Sequence, residues 1–226
     1  MKDDVTFLIP VRGGSTRIPR KNLLVLDGET LIARKVRQLL PLGKVVVGSD
    51  DEEMLEEAGR SGAETARRTK TNEGEDSANQ MIAEFLDLIE PCDTVAWCHC
   101  TNPLISTETY RKAIETYRDR RQYDYDSLVS VHEMHEHFWY ADRRTPAYNV
   151  TWCRNVRHLL AGETPPMYIQ DGSIFIQPYA RMKENHYFFG ERPWLFKVPD
   201  EEFCDLNTPE DWEMCRALHE FRGRPK

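Results

Sequence analysis

Phe7-Leu-Ile-Pro-Val-Arg-Gly-Gly-Ser-Thr-Arg-Ile-Pro-Arg-Lys-Asn22 reads as the end of a strand running into a cationic, glycine-bearing turn. It belongs to an apolar run, Val5 to Ile9, with the length and composition of a buried strand. Pro10, Gly13, Gly14, Ser15 and Pro19 then end the strand and open a loop. Arg12, Arg17, Arg20 and Lys21 crowd that loop, although the chain carries a formal net charge of −8. Glycines let backbone N–H groups approach an anion closely, and the cationic side chains add charge-assisted hydrogen bonds. The loop is therefore a candidate grip for a small polyanion. Composition alone fits a solvated surface loop equally well.

Outward from this loop, apolar strands alternate with helical patterns, the βαβ signature of a mostly parallel sheet. Helices are expected over Glu29–Leu40, Asp51–Ser61, Ser77–Ile89, Ser106–Arg121 and Pro209–Phe221. Strands are expected at Val45–Val47, Thr94–Cys98, Ser127–Val131, Ser173–Gln177 and Trp194–Val198. The last helix has the plainest start signal: Thr208 as N-cap, Pro209 at the first helical position and acids in the first turn. A polar segment runs from Arg67 to Asp76, and a longer aromatic-rich one with weak periodicity from His132 to Gln170. Open sheets of this kind place their sites at the carboxyl ends of the strands. There the loop at Arg12, Asp50, Thr101 and Asp205 converge.

Composition narrows the class. The 226 residues suffice for one substantial core, and 40% hydrophobic with 30% charged residues is ordinary for a soluble protein. No apolar run approaches the ~20 residues of a membrane-spanning helix, and the acidic N-terminus lacks the basic region of a signal peptide. These features point to the cytoplasm, where the six cysteines stand as free thiols. The acidic balance argues against nucleic acid as a partner.

Arg12-Gly-Gly-Ser-x-x-Ile-Pro-x-Lys21-Asn22 resembles the N-terminal signature of the cytidylyltransferases that activate sialic acid and related nine-carbon acidic sugars, Arg-Gly-Gly-Ser-Lys-Gly-Ile-Pro-x-Lys-Asn. The resemblance continues in order along the chain. Ser49-Asp50 matches the end of that family's second strand; Arg67 and Arg68 with Asp76-Ser77 are similar to its Arg-Pro…Asp-x-x-Ser segment. Thr101-Asn102-Pro103-Leu104, Asp126-Ser127-Leu-Val-Ser, Asp171-Gly172-Ser-Ile-Phe-Ile and the pair Phe188-Phe189 all have counterparts. Asp205-Leu-Asn207-Thr-Pro-Glu-Asp resembles its Asp-Ile-Asp-Thr-Pro-Glu-Asp.

This resemblance implies a three-layer α/β/α, Rossmann-like nucleotidyltransferase fold formed by residues 1–226, with 132–170 as a small subdomain that builds a homodimer. It implies attack by a sugar hydroxyl on the α-phosphorus of CTP, with pyrophosphate leaving in line and catalysis resting on positioning and charge neutralisation. Arg12, Lys21 and Asp205 are the implied catalytic residues. Gly13, Gly14, Ser15, Arg17, Asn22, Arg68 (or Arg67) and Ser77 join Arg12 and Lys21 around the nucleotide, with Asn22 at the cytosine edge. Thr101, Asn102, Asp171, Phe188 and Phe189 fall on the sugar side. Mg²⁺ (or Mn²⁺) is expected on Asp205 and Asn207, with Asp50 a weaker alternative. Read as residues alone, Asp50 equally suits a helix cap, Asp205 a turn and the phenylalanines ordinary core.

The chain departs from that pattern at four places. Thr16 stands for the loop lysine, with Arg17 beside it; His99-Cys100-Thr101 replaces the strand-end glutamine; Ile169 takes an arginine's place; and Asn207 replaces the second aspartate. Asparagine keeps an oxygen but loses the charge, so Asp205 and phosphate are expected to hold the metal. Cys98-His99-Cys100 is a poor zinc site, because strand alternation points the histidine away from both cysteines. His132, His135 and His137 beside Phe138, Trp139 and Tyr140 read as surface or interface.

Overall fold

The computed structural model describes residues 5–68, 77–142, 145–146 and 160–223. Its main sheet holds seven strands: β1 (Val5–Pro10), β2 (Lys44–Ser49), β3 (Glu64–Arg67), β4 (Thr94–Trp97), β5 (Ser127–Met134), β6 (Met167–Pro178) and β7 (Pro193–Lys197). Their spatial order is β7-β5-β6-β4-β1-β2-β3. All neighbours pair in parallel except β6, which runs antiparallel to both β4 and β5.

Alternation along the central strands sorts side chains between two apolar layers. Phe7, Ile9, Val45 and Val47 face the layer formed by α1 (Leu31–Leu39), α2 (Glu52–Arg60), α4 (Thr107–Arg120) and α6 (Pro209–Arg222). Leu8, Val46, Val95 and Trp97 face α3 (Ser77–Asp87) and α5 (Tyr179–Asn185). The result is the three-layer α/β/α sandwich expected from the motif order. Phe7, Leu8 and Ile9 have no exposed surface, and each such side chain contributes about 1.5–3 kcal/mol by leaving water. Gly48 in β2 is required by close packing, since a Cβ there would overlap the Phe85 ring of α3.

Several expected boundaries move. The helix expected from Glu29 begins at Leu31, because Thr30 caps it, its hydroxyl accepting from Ala33 N at 3.0 Å. Glu29–Thr30 instead pairs with Val25–Leu26 across Asp27-Gly28, both at positive φ. That Asp-Gly turn between short runs is a hairpin signal. Ser106 and Asp51 are caps rather than helical residues. The strand Glu64–Arg67 escapes the apolar pattern because it is an edge strand with only Ala66 buried. The short helix α5 shows too few turns to reveal a period.

The largest correction concerns the segment from His132. Strands β5 and β6 continue to Met134 and from Met167, pairing His132 with Ile169, Glu133 with Tyr168 and Met134 with Met167. This arm is held by polar groups: Glu133 accepts from Tyr168 Oη at 3.1 Å and from Lys197 Nζ at 2.9 Å. Polar pairs of this kind leave no apolar alternation to read. Residues 143–144 and 147–159 of the expected subdomain lie outside the described residues.

Candidate active site

The cationic loop leaves the carboxyl end of β1 and is pinned at several points. Val11 N donates to Gly48 O at 2.9 Å, and Gly13 N donates to Asp50 Oδ1 at 3.0 Å. A Cβ at Gly13 would sit 2.7 Å from Asp51 Oδ2, so a larger residue there would require the Asp51 side chain to shift. Asp50 therefore holds the loop, while its neighbour Asp51 caps α2 by accepting from Met54 N. Gly14 is exposed, and Ser15 N donates back to Gly13 O. Arg20, at φ 52°, turns away to pair with Glu53 and Asp51.

Lys21 points inward, its Nζ donating to Leu206 O at 2.6 Å. Burial lowers the Lys21 pKa; the Asp205 carboxylate offsets this in part, and the charges of Arg17 and Arg12 lower it further. Those three cations and Asp205 thus share one electrostatic neighbourhood. Arg17 Nη2 donates to Asn207 Oδ1 at 3.0 Å, and Asn207 Nδ2 donates to Asp205 Oδ2 at 2.6 Å. Asn22 is buried beneath the loop.

The segment carrying Asp205 is held from both sides. Leu206 N donates to Thr101 O at 3.0 Å, and the capping carboxylate Asp211 accepts from Asn207 N and Thr208 N. Burial works against the Asp211 charge, but those backbone donors hold its pKa below the usual carboxylate range. Asp205, Asn207 and Asp211 rim a pocket of about 290 Å³ whose other walls include Ile169, Phe203, Met214 and Leu218.

Among the described residues, no group of three or more His, Cys, Asp or Glu side chains is placed to hold a metal. Asp205 offers one carboxylate beside the phosphate-suited loop. That fits Mg²⁺, which takes one or two carboxylates and completes its shell with phosphate and water. Asn207 is turned otherwise than a metal ligand would be: its amide donates toward Asp205 and its oxygen is engaged by Arg17. Cys98 and Cys100 are buried, and burial pushes both thiols up to about 12, far from the thiolate form zinc needs. His132 stacks on Phe203 and His135 bonds to Thr164 O, so these histidines are spent on packing and the arm.

Other implied residues fall in places the pattern does not reveal. Thr101 is half-buried beside Asp205, with its carbonyl on Leu206. Asn102 has no exposed surface, and its side-chain amide is used up within the protein. Asp171 is likewise buried, accepting from Ser130 Oγ and from Ser173 N and Oγ at the bulge between the arm and the sheet. As placed, Asn102 offers no side chain to an acceptor, whereas Asp171 is among the residues lining the pocket beside Asp205. Arg68 is buried against Glu84 at 3.1 Å and over the Phe85 ring, while exposed Arg67 pairs with Glu52. Ser77 opens α3; its side chain lies outside the described residues.

Phe188 and Phe189 form part of an aromatic wall. Phe188 stacks on Phe175 at 4.9 Å and meets the Trp97 edge at 5.3 Å. His99 joins this wall with both ring nitrogens occupied: Trp97 Nε1 donates to Nε2 at 3.0 Å, and Nδ1 lies 2.7 Å from Gly172 O. Nδ1 therefore carries the proton of a neutral ring. Desolvation lowers its pKa, against the pull of the Gly172 carbonyl and Asp205. Sequence reasoning placed Asp50 at the site and an acid in the first turn of α6 but did not assign their anchoring roles, Asp50 on Gly13 and Asp211 on Asn207. The Asp one residue before a helix cap, and the acid at the third helical position, were their signals.

The chain is similar to pseudaminic acid cytidylyltransferase of Campylobacter jejuni, with 24% identity over 224 residues covering 94% of each chain. It is also similar to CMP-N,N'-diacetyllegionaminic acid synthase of Legionella pneumophila, with 26% identity over 96% of this chain and 97% of that one. Among solved structures, CMP:2-keto-3-deoxy-manno-octonic acid synthetase complexed with CTP shares the fold at a TM-score of 0.68 and 16% identity, covering 97% and 99% of the two chains. A family model described as cytidylyltransferase matches residues 6–208, and the chain belongs to that family of nucleotidyltransferases.

Proposed function

We propose that this cytidylyltransferase joins CTP to an acidic 2-keto sugar of the nine-carbon, sialic-acid-like class, giving a CMP-sugar and pyrophosphate. The observation that carries the reading is the Lys21–Leu206 contact, which brings the cationic loop and Asp205 to one place. In this account Arg12, Arg17 and Lys21 take the triphosphate, with the exposed glycine backbone closing on its oxygens. Asn22 lies below for the base. The acceptor hydroxyl forms its bond to the α-phosphorus as the bond to pyrophosphate breaks, and positioning with charge neutralisation does most of the work.

Asp205 would hold Mg²⁺ (or Mn²⁺), which would supply charge neutralisation at the reacting phosphate. Phe188 and Phe189 supply an apolar face for the sugar. The relatives named for pseudaminic and diacetyllegionaminic acids support the acidic-sugar class. Exposed Trp139, Tyr140, Leu160 and Tyr168 on and around the arm support a homodimer built there.

A second reading, an acceptor other than a sugar acid, is favoured by the pocket beside Asp205. Ile169, Phe203, Met214 and Leu218 line it, and among the described residues no Lys or Arg does. Pyrophosphate release with CTP and a panel of acceptors tests both. Turnover with a sialic-type acid supports the first, turnover only with neutral sugars or alcohols the second, and none with any acceptor overturns both.

A further inference from the structure

Lys35, on α1, has no exposed surface and no carboxylate within ion-pair distance among the described residues. Its Nζ donates to the backbone oxygen of Asn102 at 2.9 Å and to Tyr110 Oη at 2.5 Å. Burying an unpaired ammonium is costly, and burial lowers its pKa from 10.5 to about 8. The contacts must therefore secure something an apolar residue would not.

They secure Asn102. Its backbone carbonyl is fixed by Lys35, and its Nδ2 donates to Asp171 O at 2.7 Å and Cys204 O at 3.2 Å. Its two amide hydrogens thus go to two different segments, the bulge of β6 and the stretch just before Asp205. One residue earlier, Thr101 O accepts from Leu206 N. The segment carrying Asp205 is consequently tied to residues 101–102 immediately before and immediately after the aspartate. Lys21 Nζ adds a further tie from the cationic loop, at Leu206 O.

We propose that Lys35, acting through Asn102, is a positioning residue that sets where Asp205 stands relative to the cationic loop. The inference rests on the cytidylyl-transfer reading of the site. Neither side chain touches substrate; the pair acts by fixing a backbone. An apolar side chain of Lys35's size would fill the same volume but leave the Asn102 carbonyl without its donor.

The test measures Mn²⁺ binding to the protein–CTP complex, by electron paramagnetic resonance of free Mn²⁺, in wild type, Lys35→Met and Asn102→Ala, with thermal unfolding recorded in parallel. Folded variants that bind Mn²⁺ tenfold or more weakly, with CTP affinity in the absence of metal changed less than threefold, are expected. A folded variant of either kind with unaltered Mn²⁺ affinity overturns the proposal. So does loss of folding in both, which would make the network a stability element only. Wild type that binds neither CTP nor CTP-dependent Mn²⁺ instead refutes the function on which the proposal stands, so the two failures are told apart.

Discussion

Arg17 and Asn207, 190 positions apart in sequence, share a 3.0 Å hydrogen bond across the mouth of the site. Both stand at or beside departures from the family pattern, Thr16 and Asn207. The structure links them: Arg17 carries the charge missing at Thr16, and its partner Asn207 donates an amide N–H hydrogen bond to Asp205. An aspartate at 207 would face the Asp205 carboxylate where an amide now bridges. Asn207→Asp is thus expected to lower the melting temperature without metal, through carboxylate repulsion. It is also expected to lower the Mg²⁺ concentration giving half-maximal stabilisation by roughly tenfold, about 1.4 kcal/mol. Thermal melts with CTP across a Mg²⁺ series check both.

Lys21→Met removes the inward charge and its bond to Leu206 O. Charge-assisted hydrogen bonds are worth about 1.5–3 kcal/mol, so CTP affinity is expected to fall by roughly one to two orders of magnitude. Calorimetric titration with CTP measures it. Arg20→Ala, which loses only exposed pairs to Glu53 and Asp51, is expected to change CTP affinity far less.

His99 gives a pH signature. Its folded-state pKa is depressed, chiefly by desolvation, so below the ordinary value of 6.5 the unfolded chain takes up a proton that the folded one refuses. Stability is fully present above that pH and is lost as pH falls, with a slope of at most ~1.4 kcal/mol per pH unit for one proton. Urea denaturation at pH 7 and 5.5 is expected to show a smaller loss for His99→Gln than for wild type.

The buried Arg68–Glu84 pair predicts a non-additive result. Glu84→Ala removes this carboxylate from beside the buried guanidinium and is expected to cost about 3–5 kcal/mol. Arg68→Met combined with Glu84→Leu is expected to recover most of that loss. Urea unfolding of the single and double variants decides it.

The sequence made the sheet's heart legible because Val5–Ile9, apolar but for Thr6, and Val45–Val47 are near-continuous apolar runs, as expected of strands buried on both faces. Thr208 and Pro209 announced α6 by local capping chemistry, which needs no tertiary information. The cationic loop was equally plain. What stayed hidden depends on distant partners. Nothing local tells that Asn102 and Asp171 spend their polar atoms inside the protein, or that Lys35 is buried, since lysine in a helix reads as solvent-facing. Strand β3 and the arm were hidden because edge and polar pairs carry no apolar period.

Pyrophosphate release by wild type and Asp205→Ala, with CTP, Mg²⁺ and a sialic-type acid, decides whether Asp205 anchors the reaction. Turnover is expected in wild type, with a loss of at least about 100-fold in the variant, as where one group anchors the charge on the reacting phosphate. Equal turnover with unchanged Mg²⁺ dependence in the two proteins would rule that role out.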